Sequence, residues 1–381
     1  MVLDCPRVKD TRVRFNKNSA FWIELRRRVD AYFATADLPR DGGARMLSKT
    51  AIIFAWLIGS YIGLLALGGS WLAVIGFGIS CGLATAGLGM AVQHDGGHLA
   101  YSSKRGINRA AASVLDLLGA SSYVWRTKHG VVHHTYPNVE GADDDLDAGP
   151  FARLSPGQRH RGMHRFQHLY MWPLYGFLTA KWFLLDDFRD LARGRVGNHP
   201  LAAPRGSELL IFTLGKLAHL SWAIVVPILV LGLGKALVFY AALSAACGIT
   251  LSVVFQLAHC VEEAEFIDPD AHGQPIVLGF AEHQLATTID FARDSKWLSW
   301  YVGGLNFQAV HHLFPRVCHL HYPAIAKIVE QTAAEHGVRY AATPTLRAAL
   351  RSHYRWLRRM GSGERIPIPA SERTEDLAAA A

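Results

Sequence analysis

The chain has 381 residues, 50% of them hydrophobic and only 18% charged. A soluble globular chain carries nearer a quarter charged residues, and this much apolar surface excludes a disordered chain. The balance of 39 Lys+Arg against 31 Asp+Glu gives a net +8, which by itself suits either nucleic acid or the cytoplasmic face of a membrane protein. The apolar residues are bunched, which favours the membrane and argues against a nucleic-acid partner.

Taken in chain order, residues 19–35 predict an amphipathic helix, with Phe21, Leu25, Val29 and Phe33 recurring every four residues. It could lie in the headgroup region or pack on a cytoplasmic domain. No Asp, Glu, Lys or Arg occurs between Lys49 and His94. That stretch is too long for one crossing of about 20 residues, and Gly68-Gly69-Ser70 breaks it. Two spans follow, at roughly 47–67 and 71–92. A second pair is expected at roughly 209–233 and 236–258, turning at Gly232-Leu233-Gly234-Lys235. Residues 166–185 are aromatic and apolar but hold Pro173 and Lys181, which suits an interfacial helix. Pro323–Gly337 and Pro344–Gly361 each open on proline and stop at glycine, as helices often do.

The expected fold is an all-α membrane protein. Four transmembrane helices form two hairpins, and a helical cytoplasmic cap holds a histidine-rich dimetal site. The chain divides into an N-terminal cytoplasmic segment, 1–46, a membrane domain, 47–361, and a flexible tail, 362–381. Orientation follows the basic residues. Arg40, Arg45 and Lys49 precede the first span, Lys104, Arg105 and Arg109 follow the second, and Arg189, Arg193 and Arg195 precede the third. Of the two hairpin turns, the first is uncharged and the second holds only Lys235. Both termini and the polar 94–208 segment are therefore expected in the cytoplasm, at a bacterial inner membrane or the endoplasmic reticulum. No secretory signal precedes the first span. The five cysteines form no CxxC pair, which argues against a disulfide framework or a cysteine zinc site.

Histidine is in excess, at 19 residues. Three paired clusters stand at the expected cytoplasmic ends of the spans: His94-Asp95-Gly96-Gly97-His98, His129-Gly130-Val131-Val132-His133-His134, and Gln308-Ala309-Val310-His311-His312. His259 ends the fourth span. A lone histidine is ordinarily a surface or satisfied core residue, and one HxxxH pair is weak. Three pairs at one membrane face point instead to metal. Residues four apart share a helix face, so His94/His98 and His129/His133 can each aim two imidazoles at one centre. Adjacent histidines diverge and could serve two ions or a bridge. Eight imidazoles exceed one metal's positions, and two metals fit the count. Imidazole suits iron, zinc, copper or nickel, and iron with open positions activates dioxygen. An apolar surrounding gives a hydrocarbon a place to sit. His160, His164 and His168 also run at four-residue spacing but lie among arginines, as a solvated or headgroup-facing stripe. His319 and His321 could support the ligands or be plain polar residues. On the second span Gly78, Gly82 and Ala86 recur every four residues, a pattern that lets helices approach closely.

The three boxes resemble the HxxxH, HxxxHH and [HQ]xxHH pattern of the integral-membrane fatty acid desaturases. The resemblance runs from Phe15-Asn16-Lys17 to about residue 340 and is sharpest over His129–Asp147 and Gly303–Pro323. Gln308, where many members carry histidine, and His283-Gln284-Leu285-Ala286-Thr287-Thr288 are similar to the front-end, linoleoyl-CoA-desaturase-like branch. The resemblance implies O2-dependent desaturation of an acyl chain, carried by CoA, a carrier protein or a lipid, with two iron ions as cofactors and O2 as co-substrate. It implies ligands at His94, His98, His129, His133, His134, His259, His311 and His312, with Gln308 weak or acting through water. His259 rests on its place at the span's end. Asp143, Asp144 and Asp145 read as loop-fixing or solvated. Many front-end members carry a fused cytochrome b5 domain with His-Pro-Gly-Gly; here the nearest string is His199-Pro200-Leu201. Electrons are therefore expected from an external donor, ferredoxin or cytochrome b5 in type, drawn by charge to the basic face. The nearest alternative outcomes from the same centre are hydroxylation or triple-bond formation. A metal-binding or transport protein is the remote one, since transport needs ionisable groups within the spans and only His219 lies well inside one.

Overall fold

The computed structural model describes residues 13–269 and 276–364. The tail expected to be flexible lies outside them from residue 365 on. Four helices are long and apolar enough to cross a membrane: Gly43–Leu67, Trp71–Gly97, Ser207–Leu231 and Leu233–His259. Each helix pair turns back within a few residues. The first turn closes where the Ser70 side chain accepts from Ala73 N, capping the second helix. The second turn is the single residue Gly232, at φ 81°, a left-handed conformation that glycine adopts without a steric cost. Lys235 Nζ donates to the Gly69 carbonyl, tying the two turns together.

The second and fourth spanning helices form the centre and the other two flank them. Their contact is backbone to backbone. A Cβ on Gly82 would meet the Leu243 carbonyl oxygen at 2.4 Å, and one on Gly78 would meet Ala242 Cβ at 2.8 Å. This is the close approach that the small-residue stripe predicts. The flanking helices turn Ile52, Ile58, Ile62, Leu210, Leu214 and Leu229 outward. Such continuous exposed apolar surface suits lipid.

Both hairpins return the chain to one side, where the remaining segments build a cap. Helix Ala20–Thr35 starts at Ser19, whose side chain accepts from Trp22 N. Its apolar stripe Phe21, Leu25, Val29 and Phe33 packs on Val310, Leu313, Ile325 and Val329 of the cap. Of the two expectations for this helix, packing on the cap is the one observed. Full burial of each such side chain contributes roughly 1.5–3 kcal/mol. Helix Tyr322–Glu335 packs beside it, and helix Leu346–Ser362 closes the other flank. Helix Gln167–Tyr175 and the turns up to Asp186 leave Phe166, Leu169, Phe177, Leu184 and Leu185 exposed, as an interfacial segment would. Among the described residues, β structure amounts to three two-stranded pairs and an isolated parallel bridge between Val139 and Ile267. Val13–Asn16 runs parallel to Ile276–Gly279, Asp290–Phe291 parallel to Ala342–Thr343, and Arg195–Val196 antiparallel to His199–Pro200.

Candidate metal centre

The histidines converge where the second and fourth spanning helices end. His94 and His98 face the same way, with ring centroids 4.7 Å apart. With His129 and His311 they present nitrogens all within 4.8 Å of one another. A second group consists of His133, His259 and His312, and His134 joins His311 and His312 in a third overlapping set. Adjacent histidines therefore do diverge: His311 faces the first group and His312 the second. His134 lies between, with ring centroids 4.5 Å from each. Gln308 reaches the second group by donating Nε2 to His259 Nε2 at 3.0 Å.

His129 and His133 stack at 23° with ring centroids 5.4 Å apart, and together with Asp145 they present ligand atoms within 4.8 Å of one another, so the four-residue spacing does turn both rings to one region. His129 also belongs to the first group and His133 to the second. Lys128–His133 is wound as a π-helical turn. A second π-helical turn, Leu88–Gln93, delivers His94. Such turns concentrate at functional sites.

The outer nitrogens are anchored by the protein. His312 Nδ1 donates to Gln284 Oε1 at 2.8 Å, and His259 Nδ1 to the Thr287 carbonyl at 3.2 Å. His311 Nδ1 lies 3.2 Å from Tyr322 Oη, and His133 Nδ1 lies 3.3 Å from both Asp143 oxygens. This fixes the rings with Nε2 pointing inward, as expected around a metal. Within these groups five buried imidazole nitrogens then lack a hydrogen-bond partner: Nε2 of His98, His133, His311 and His312, and Nδ1 of His134. Buried polar atoms are nearly always satisfied. His94 Nε2 and His129 Nε2 stand 3.1 Å apart, and His134 Nε2 and His129 Nε2 3.3 Å apart. Shared protons could satisfy some of these contacts, but a cation at each group satisfies them together. The donor set thus fits two metal ions.

Electrostatics favour the ligand form. Burial, reinforced by like charge from neighbouring imidazoles, holds His98, His129, His134, His311 and His312 well below the ordinary imidazole value. They are neutral at pH 7 and free to donate lone pairs. His133 moves the other way: burial pulls it down, but the charges and hydrogen bond of Asp143 and Asp145 outweigh it. Lys128 is raised because Asp145 and Asp144 outweigh its burial. It bridges to Asp144 at 2.8 Å and Asp145 at 3.6 Å.

Several residues here went unassigned in the sequence. Asp143 both fixes its loop, accepting from Asn138 N and Asp145 N, and faces a ligand. Asn138 takes the left-handed conformation at φ 56°. Its Nδ2 donates to the carbonyls of His259, Glu265 and Thr287, at 2.9, 3.0 and 3.4 Å. One amide thereby joins the second box to the fourth span and to the 280–288 segment. Trp125, one helical turn before His129, stacks on it at 4.6 Å and 23°. Gly97 makes room, since a Cβ there would come within 2.2 Å of the Trp125 ring. Tyr322 carries no sequence signal of its role.

Other histidines have structural partners. His319 Nδ1 donates to Asp95 Oδ2 at 2.8 Å, and its Nε2 lies 2.8 Å from Lys49 Nζ. His321 bonds the Asp41 carbonyl. The expected stripe of His160, His164 and His168 does not form. His164 is buried on the Pro150 carbonyl, His160 reaches the Gly361 carbonyl, and His168 packs edge-on to Tyr354. The chain bends through these residues, so they never share a helix face. His219 is buried on the Leu117 carbonyl, as a packed core histidine.

With this geometry in place, comparison with known proteins is informative. The fatty acid desaturase family profile matches residues 69–344. The sn-1 linoleoyl-lipid 6-desaturase of Synechocystis sp. is 36% identical over 351 residues, covering 92% of this chain and 98% of that protein. The sn-1 linoleoyl-lipid 6-desaturase of Arthrospira platensis is 36% identical over 359 residues, 92% of this chain and 95% of that protein. The acyl-lipid (8-3)-desaturase of Physcomitrium patens is 36% identical over 353 residues, 91% of this chain and 73% of that protein.

Proposed function

The chain belongs to the fatty acid desaturase family and is an acyl desaturase, and from that premise we propose that it is a di-iron, O2-dependent enzyme acting on acyl chains esterified in membrane lipid. His94, His98, His129 and His311 would hold one iron, and His133, His259 and His312 the other. His134 lies between, and Gln308 contributes weakly or through water. The observation that carries this reading is the set of buried imidazole nitrogens left without hydrogen-bond partners at the ends of two apolar helices. The lipid-linked substrate is supported by the acyl-lipid activities that the relatives' names state. The same likeness supports a double bond counted from the carboxyl end.

Bound iron would supply the O2-dependent removal of two hydrogens from adjacent methylenes. The protein's own part is positioning, which carries much of the selectivity. Asp143, Gln284, Tyr322 and the Thr287 carbonyl fix the imidazole rings. Trp125 closes one side of the first group and Phe255 stands 5.0 Å from His133 on the other. Their apolar faces exclude water, which protects reactive species from side reactions. Electrons would come from an external donor, and the active site and both termini would face the cytoplasm.

Expression in a host lacking such activity, with lipid profiling by mass spectrometry and metal analysis of the same membranes, tests the reading. The expected product is two hydrogens lighter than its substrate, with iron in the purified protein. A product with added oxygen and no new unsaturation would replace desaturation by hydroxylation. His312→Ala should abolish product and lower bound iron while the chain stays in the membrane.

A further inference from the structure

Helix Leu346–Ser362 has two faces of opposite character. Ala349, His353, Trp356, Leu357 and Met360 are buried against the cap. Arg347, Arg351, Arg355 and Arg358 are exposed, at steps of four, four and three, so they share the outer face. Among the described residues, Arg347, Arg351 and Arg358 have no carboxylate partner, and Arg355 approaches Glu262 only at 3.7 Å. The segment carrying exposed Arg159, Arg161 and Arg165 abuts the end of this helix, where His160 Nε2 meets the Gly361 carbonyl at 2.9 Å. The result is a concentrated positive surface.

The buried face of the same helix leads to the metal centre. His353 Nδ1 donates to the Cys260 carbonyl at 2.7 Å, and its Nε2 accepts from Tyr175 Oη at 2.8 Å. Cys260 follows His259, whose ring belongs to the second histidine group. One helix thickness, one hydrogen bond and one peptide therefore separate the arginine face from a proposed ligand. Electron transfer through protein weakens steeply with distance and is helped by bonded connections, so a carrier seated here would have a short route.

We propose that the arginine face of Leu346–Ser362, extended by Arg159, Arg161 and Arg165, docks an acidic one-electron carrier protein and that His353 links this surface to His259. The proposal rests on the desaturase reading above. Each turnover takes O2, two electrons and two protons, converts R–CH2–CH2–R′ to R–CH=CH–R′, and releases two waters. Two reduced carriers are each oxidised by one electron. A lipid headgroup is the lesser fit. An interfacial anchor turns its apolar face to lipid, whereas this helix spends that face on the protein, with Trp356 stacked on Phe266 at 4.7 Å. Charge pairing across such a surface speeds encounter and falls with salt.

The test uses the full chain in nanodiscs of zwitterionic lipid, with a photoreduced acidic [2Fe–2S] ferredoxin as probe. Arg347→Glu/Arg351→Glu/Arg358→Glu should raise the KM for ferredoxin at least tenfold at low salt. The unsubstituted protein should lose that advantage as salt rises. Bound iron and the rate supported by reduced methyl viologen should be retained, which separates lost docking from misfolding. Should the reversal fail to fold, Arg347→Gln/Arg351→Gln/Arg358→Gln should still raise the KM severalfold. His353→Leu should slow ferredoxin-driven reduction at saturating ferredoxin with the KM unchanged. An unchanged ferredoxin KM in the arginine variants overturns the surface while leaving the desaturase reading intact. So does an effect seen only in nanodiscs of anionic lipid, which would mark a headgroup site. No double bond from the unsubstituted protein with either reductant overturns the desaturase reading itself, and the surface with it.

Discussion

His133 shows how a single side chain is made into a ligand. Its ring is fully buried, its Nδ1 faces the Asp143 carboxylate, and its Nε2 is left bare toward His259 and His312. Replacing Asp143 by alanine removes the anchor and frees the ring to rotate. Loss of such an outer partner typically costs 10–100-fold in metal affinity. Asp143→Ala should therefore release iron at 10–100-fold lower chelator concentration, measured by metal analysis after dialysis, with Asp143→Asn intermediate. Asn138 acts one step further out, on the backbone. Asn138→Ala strips the donor from the carbonyls of His259, Glu265 and Thr287, and each group left buried without a partner costs about 1–3 kcal/mol. A lower apparent Tm together with lower iron content is the expected pair of readings, and an unchanged Tm would refute the hub role. The ligand candidates themselves were legible in the sequence because paired histidines at span ends are rare. Their anchors were not. Asp143 sat in an acidic run that reads as loop-fixing or solvated, which foretells its bonds to Asn138 N and Asp145 N but not its contact with His133, and the roles of Gln284 and Tyr322 depend on chain separations of 28 and 11 residues.

At the scale of elements, short helices hold the boxes and buried groups hold the helices. Helix Gln308–Leu313 is only six residues long, too short to be stable alone. Asp290 pins its start, accepting from Ala309 N at 2.9 Å, and Tyr340 Oη donates to the other oxygen. Burial pushes the Asp290 carboxyl up from 3.8 to about 6, more than the Tyr340 and Ala309 hydrogen bonds pull it down. The folded state thus holds this proton more tightly than the unfolded chain. Its stabilising contribution is fully present below pH 3.8, fades as pH rises towards 6, and is constant above that. The change is on the order of 3 kcal/mol. Asp290→Asn keeps an acceptor for Ala309 N and removes the titration. The stability of the parent relative to Asp290→Asn should fall between pH 4 and 6 and then level off, as read from apparent Tm in detergent. A flat difference across that window would contradict a buried, titrating Asp290. The spanning helices were legible from length and charge alone, and the small-residue stripe announced the Gly82 contact. The π-helical turns were not legible, because an insertion that shifts facing by one residue leaves no mark on apolar periodicity. The four-residue spacing nevertheless brought both pairs together, His94 with His98 and His129 with His133.

The whole molecule is organised by one asymmetry: every metal-ligand candidate lies on the side to which both hairpins return. The hairpin turns on the far side are short and nearly uncharged, and the one lysine there is spent on the Gly69 carbonyl. The near side carries Arg40, Arg45, Lys104, Arg105, Arg109, Arg193 and Arg205 close to the helix ends. Basic residues in short segments beside spans are retained in the cytoplasm, so the near side should be cytoplasmic, where reduced carriers are available. This can be read in a Cys5→Ser background, because the other cysteines, Cys81, Cys247, Cys260 and Cys318, are all buried and should not react with an impermeant maleimide. Gly69→Cys, in the first turn, should be labelled in intact cells. Lys104→Cys, on the cap, should be labelled only after the membrane is opened. The reverse pattern would put the arginine face of Leu346–Ser362 outside the cell, away from any cytoplasmic donor, and would remove the proposed electron route together with the orientation. Labelling at both positions in intact cells would instead show that the helix between them, Trp71–Gly97, does not cross the membrane, against its length and its charge-free apolar composition.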